Sequence, residues 1–129
     1  VDPFKTITKY GADATRWYML SNAQPWDNLK FDEEGIVEST RKLFSTLYNT
    51  YSFFALYANL DQWNADETGV IAVDQRPEID RWILSRLHSL IDAYHADMDD
   101  FDVTTASRRI EVFVNDHLCT SQQKAVLER

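Results

Sequence analysis

From Ile36 to Ala58 the chain keeps a single apolar stripe going, through Ile36, Thr40, Leu43, Phe44, Leu47, Tyr48, Tyr51, Phe54, Ala55 and Ala58. Steps of three and four residues place all of these on one side of an α-helix. Asp32 is the expected N-cap. Glu33 and Glu34 set negative charge beside the positive end of the helix dipole, and Asn59-Leu60-Asp61 is the expected end. An amphipathic rod this long must lay its stripe against another element. Pro77 opens a second such stripe at Ile79, Trp82, Ile83, Leu87, Leu90, Ile91, Tyr94 and Met98, which makes the two helices expected antiparallel partners. A third helix is expected after Asp102, with Ala106, Ile110, Phe113 and Val114 facing inward. The pattern predicts a mainly α chain built as a helical bundle.

Before that bundle lies a different kind of segment. Asp2-Pro3 starts a short helix, because Asp accepts from orphan backbone N–H groups and Pro fits the first helical position. Gly11 closes it, and Ala12-Asp13 opens another helix that runs through Arg16, Trp17, Tyr18 and Leu20. Asn28 to Phe31 is the best candidate for a short strand, so residues 1–31 read as a small mixed module and residues 32–129 as the helical part. The stretch from Gln62 to Arg76 has no helical period and carries the turn formers Asn64, Asp66 and Gly69; it reads as a connector with a brief strand at Val70 to Val73.

With 129 residues the chain can bury roughly two-thirds of the surface it exposes unfolded. Its 17 aromatics place it outside the composition of disordered segments. No apolar run approaches the roughly 20 residues that cross a bilayer, and the first residues lack a charged-then-apolar signal pattern, so a cytoplasmic location is expected. Cys119 stands alone, which excludes an internal disulfide.

The formal net charge is −8. Affinity for a polyphosphate comes largely from Lys and Arg displacing condensed counterions, so the average argues against free-standing nucleic-acid binding, and no DNA partner is expected. The excess is local. Residues 1–31 hold four Lys or Arg against three Asp or Glu, residues 32–101 five against fourteen, and residues 102–129 four against four. Any RNA-facing surface is therefore expected from the two end segments. Arg41-Lys42 and Arg108-Arg109 are the two adjacent basic pairs.

No catalytic constellation stands out. His88, His95 and His117 are scattered, and His117 with Cys119 cannot close a tetrahedral site that needs four ligands. Gly11, Gly35 and Gly69 are isolated, so no phosphate-cradling loop exists. The cluster Asp97, Asp99, Asp100 and Asp102 lacks the alternating ligands and central Gly of a calcium loop and reads as a solvated helix end. No metal, cofactor or catalytic residue is expected in the chain itself.

One resemblance covers about nine-tenths of the sequence. Val1-Asp2-Pro3, Lys9-Tyr10-Gly11-Ala12-Asp13-Ala14 and Arg16-Trp17-Tyr18 resemble the segment that follows the K-M-S-K-S loop of class I aminoacyl-tRNA synthetases. The blocks from Pro25 to Asp32, Arg41 to Leu43, Leu47 to Phe54, Tyr57 to Asp61, Arg76 to Leu87 and Ile110 to Asp116 resemble, in order, the isoleucine branch of that family. The resemblance implies a severed portion of such an enzyme: a stem-contact module over residues 1–31, then part of the helical anticodon-binding domain over residues 32–129. It also implies a parent that uses ATP and Mg to attach isoleucine to its tRNA, with the catalytic motifs elsewhere and this chain inactive alone. Lys9, Lys30, Arg41, Lys42, Arg108 and Arg109 are the candidate tRNA contacts, while Trp26 and Tyr51 are expected to pack the junction. After Asp116 the run His117-Leu118-Cys119-Thr120-Ser121 departs from the family's Arg-rich continuation, so helices missing their partners are expected to leave apolar faces that self-associate. Two alternatives stay open: a stand-alone helical interaction module, and a fragment of the valine or leucine enzyme.

Overall fold

A computed structural model describes residues 2–28, 30–64, 69 and 71–119. Helix α1 (Pro3–Tyr10) starts where Asp2 Oδ1 accepts from the N–H groups of Phe4 at 3.0 Å and Lys5 at 3.4 Å. It stops at Gly11, whose φ of 88° suits a residue without a Cβ, and α2 (Ala12–Asn22) begins at once. Helix α3 (Glu33–Ser39) is capped by Asp32, which accepts from Glu34 N–H at 3.0 Å. It runs without a break through a wider π-helical stretch (Thr40–Ser45) into α4 (Thr46–Leu60), so the long rod read from the stripe is present. After a 3-10 turn (Val73–Gln75) and Pro77, α5 (Glu78–Asp99) follows. Asp102 then caps α6 (Val103–Val112), which continues as a second π-helical stretch (Phe113–Leu118).

Two strand expectations fail. Asn28, Lys30 and Phe31 are not in a strand, and Leu29 lies outside the described residues. No second strand is there among the described residues to pair with them; instead the Tyr18 hydroxyl reaches the loop, donating to Lys30 O at 3.4 Å and accepting from Asp32 N–H at 3.0 Å. At the connector, Val73 belongs to the 3-10 turn and Ile71 and Ala72 to irregular chain, while Val70 is outside the described residues. Among the described residues the first module is therefore helical and irregular, with no strand.

The main apolar cluster joins Ala14 and Tyr18 of α2 to Ile36 of α3, with Tyr10, Phe31 and Phe44 around it. Tyr18 and Ile36 are almost wholly buried, and Phe31 meets Tyr18 edge to face with ring centroids 5.8 Å apart. Gly35 permits this approach: a Cβ there would stand 2.5 Å from Tyr18 Cε2.

The joint between α2 and α6 is mostly polar. Thr104 Oγ1, 1% exposed, lies 2.9 Å from both Leu20 O and Ala23 O. Arg108 donates from Nε to Ser21 O and from Nη2 to Asn22 O, each at 2.9 Å. Trp17 Nε1 donates to Glu111 at 2.6 Å, and Gln24 Nε2 to the capping Asp102 at 2.9 Å. Helix carbonyls at a C-terminus have no partner within the helix, so α6 supplies what α2 lacks.

The two long stripes do not pair as antiparallel neighbours. Helix α5 packs chiefly on α6, and the π-helical end of α6 lies against both α5 and α4. The last helix thus takes the place expected for the second one. Of its inward residues, Ala106 and Val114 are buried and Ile110 and Phe113 half-buried. The far half of the long rod is left uncovered, with Tyr48 69% and Tyr51 65% exposed and no residue of α4 buried.

Candidate nucleic-acid interface

The six basic candidates fall into three settings. On α1, Lys9 Nζ lies 2.8 Å from Glu33 Oε2 and 4.7 Å from the Tyr10 ring centroid, and the Tyr10 hydroxyl donates to the same carboxylate at 2.7 Å. The bond to Glu33, with help from Tyr10, holds the Lys9 ammonium above its ordinary range, and Lys9 in turn lowers Glu33. Lys30 is exposed in the loop after α2.

Arg41 and Lys42 sit in the first π-helical stretch, both exposed. Lys42 pairs with Glu38 one turn back at 2.6 Å, which lowers the Glu38 carboxyl. Arg41 contributes a weaker electrostatic pull on the same carboxylate. Exposed pairs like these and Lys9–Glu33 add little stability, because water screens them, and their cations can exchange partners.

Arg108 and Arg109 have different tasks despite their adjacency. Arg108 holds the end of α2, as above, and is a structural clasp before it is anything else. Arg109 donates from Nε to Asp97 of α5 at 2.5 Å, a bond that raises the guanidinium further.

The α5–α6 seam gathers more positive charge than the sequence shows. Arg86, Ser89 and Leu90 of α5 and Arg108, Arg109 and His117 of the last helix line one groove of about 440 Å3, whose remaining lining holds no carboxylate. Arg86 Nη2 lies 2.9 Å from His117 Nε2. Guanidinium has no acceptor, so Arg86 is the donor in this contact. The imidazole is held in place by Trp82 and Phe113, edge to face at 5.5 and 6.0 Å.

Of the six candidates, then, Arg108 and Arg109 meet in this groove. Lys9 lines a separate shallow depression with Phe4, Lys5 and Thr8, and Lys30, Arg41 and Lys42 line neither. Arg86 and His117 were missed, since 31 residues separate them and neither stands in a basic run. Trp26 and Tyr51 do not pack the junction: they are 73% and 65% exposed, Trp26 in the loop after α2 and Tyr51 on the part of α4 that no described helix covers. No group of three or more His, Cys, Asp or Glu is placed to hold a metal ion among the described residues, and no described helix is long and apolar enough to cross a membrane.

Residues 80–128 match the family described as the anticodon-binding domain of tRNA ligase. The chain is 56% identical over 118 residues to the isoleucine–tRNA ligase of Porphyromonas gingivalis, a match covering 92% of this chain and 10% of the relative. It is 58% identical to that of Bacteroides thetaiotaomicron with the same coverage. With isoleucine–tRNA ligase 2 of Bacillus thuringiensis subsp. konkukian it shares 40% over 116 residues, 90% of this chain and 11% of the relative. The chain thus spans about a tenth of the length of the curated relatives it matches. These matches make the chain similar to a segment of isoleucine–tRNA ligases that includes part of the anticodon-binding domain.

Proposed function

We propose that the chain contributes to holding tRNA within an isoleucine–tRNA ligase, on the side of the anticodon stem, and that the whole enzyme attaches isoleucine using ATP and Mg. The observation that carries this reading is the identity of 55–58% with isoleucine–tRNA ligases across 92% of the chain. No adenylate-forming or aminoacyl-transferring group is assigned to these residues, and the chain alone is expected to be inactive. Residues 1–31 are assigned the stem-contact role and residues 32–129 the anticodon-domain role.

Lys9, Lys30, Arg41, Lys42, Arg108 and Arg109 are the proposed contacts. Lys30 and Arg41 are exposed and carry no clasping role, so their charge is available to phosphates, while Lys9 and Lys42 release exposed carboxylates to bind. Arg108 contributes mainly by holding α2 in place.

Titrating the tRNA onto the whole ligase and onto this chain, each with and without Arg41→Ala and Lys42→Ala, tests the reading. The paired substitution is expected to weaken binding across tRNA sequences and to flatten its salt dependence, since phosphate contacts carry no base information. Binding that is unchanged removes the pair; a whole ligase that charges no isoleucine removes the assignment.

A further inference from the structure

We propose that the corner where the turn over residues 24–27 meets the start of α6 docks a Lys or Arg side chain of a protein partner, with Trp26 and Phe101 as its walls. The site is separate from the tRNA reading, because the carboxylates around it repel phosphate.

Both aromatic side chains stand in solvent on turns that are fixed from within. Asp27 N–H donates to Gln24 O at 2.9 Å with Pro25 in the second position, which closes a β-turn and sets Trp26, 73% exposed, in the third. Between α5 and α6, Phe101 N–H donates to Met98 O at 3.1 Å and Asp102 N–H to Asp97 O at 2.8 Å. There Phe101 is held at a φ of 62° and is 81% exposed. A positive φ is costly for a bulky side chain, and this ring buries little within the chain in return. Gln24 Nε2 ties the two turns together by donating to Asp102 Oδ1 at 2.9 Å, which brings Trp26 and Phe101 to one corner although they are far apart in sequence.

An orphaned acceptor says what the corner takes. Gln24 Oε1 is buried and has no hydrogen-bond partner among the described residues. Turning the amide over would not help: an ionised Asp102 only accepts, so the nitrogen must face it and the oxygen is left over. A buried oxygen without a donor costs free energy that an incoming N–H restores. Charge sets the sign of that donor. Asp27, Asp99 and Asp100 are exposed on the same two turns and form no ion pair among the described residues, while Arg108 is turned to the carbonyls of Ser21 and Asn22. A cation that carries N–H groups and rests against aromatic faces meets all three features, and Lys and Arg supply one. No group of three acidic or other ligating side chains is placed to hold a metal ion instead, among the described residues.

The test titrates the chain with hexalysine, hexa-arginine and hexaglutamate, following the Trp26 indole, the Phe101 ring and the Gln24 side-chain amide by NMR. The two basic peptides are expected to move all three signals, and hexaglutamate none. Trp26→Ala and Phe101→Gly should each weaken the basic peptides about two- to fivefold. Glycine suits the positive φ, so Phe101→Gly should keep the fold by circular dichroism. Asp99→Asn with Asp100→Asn should lower affinity and flatten its salt dependence, whereas Trp63→Ala, an exposed aromatic elsewhere, should do neither. Basic peptides bound equally well by the folded Trp26→Ala, Phe101→Gly double variant reveal general charge attraction and overturn the site. The proposal also fails if Mg moves the Gln24 amide and the peptides do not, or if the three signals move with chain concentration alone, which makes the occupant a second copy. Isoleucine tRNA moving Trp26 and Phe101 gives the corner to RNA, overturning the proposal while leaving the tRNA reading intact.

Discussion

At Gly35 the space available is set by one ring. A methyl group there would sit 2.5 Å from Tyr18 Cε2, and Tyr18 is 2% exposed, with its hydroxyl tied to the backbone at Lys30 and Asp32. Helices ordinarily gain roughly 0.5–1 kcal/mol from Gly to Ala, but overpacking costs about 1–3 kcal/mol. Gly35→Ala is thus expected to lower the urea midpoint. Thr104 gives the converse case, a polar atom that the packing requires. Thr104→Val keeps the shape and removes the hydroxyl shared by Leu20 O and Ala23 O, with an expected loss of about 1–3 kcal/mol in the same unfolding experiment. Neither role was legible in the sequence. Gly35 reads as an isolated glycine and Thr104 as an ordinary first-turn residue, because both roles are defined by partners far away in the chain. Asp2, Asp32 and Asp102 were legible as caps, since a cap acts on its own next turn.

Among the helices, the start of α6 carries the clearest pH dependence. Hydrogen bonds from Thr105 and Gln24 hold the Asp102 carboxyl below its ordinary value, and Lys9 and Tyr10 do the same for Glu33. A carboxyl lowered by folding stabilises the fold above its unfolded pKa, and that contribution fades as pH falls through the folded value. Stability measured by urea is expected to be flat from neutral pH to about 5 and to fall below about 4. Asp102→Asn, which keeps an acceptor and cannot ionise, should flatten part of the fall. Helix limits followed from stripes, caps and Pro77, while the neighbour of each helix did not. Periodicity says which side is apolar and is silent on what covers it, so α5 found α6 where α4 was expected. Arg108 and Arg109 show the same limit at the interface: adjacent in sequence, they were read as one basic pair, yet one clasps α2 and the other reaches Asp97.

Taken whole, the molecule is well covered at one end and bare at the other. Ala14, Tyr18, Ile36 and Leu43 are buried near α1–α3, whereas Leu47, Tyr48, Tyr51 and Phe54 lie exposed along α4. An apolar face of this extent associates with another surface. In isolation the chain is expected to self-associate with rising concentration, by sedimentation velocity, and Tyr51→Lys with Phe54→Glu should shift it toward monomer without lowering helix content. A concentration-independent monomer would count against this. The bundle and its mainly α class were legible from the stripes, and the family from the blocks around Tyr10, Trp26 and Arg76. The arginine groove was hidden because it forms only when α5 and the last helix lie side by side.

The long rod does not wind evenly, since Thr40 to Ser45 forms a wider coil than the helix on either side. Such a coil accommodates roughly one surplus residue. Excising one amino acid there would tighten the winding to an ordinary helix and leave the bearing of everything beyond it nearly unchanged, whereas excising one from the regular helix of α4 would swing the rest by about 100°. Tyr48, Tyr51 and Phe54 would keep their compass point relative to Ile36 and Tyr18 in the first case and lose it in the second, so this short interval is the slack in the rod, the one place where its length can change without re-aiming the bare end.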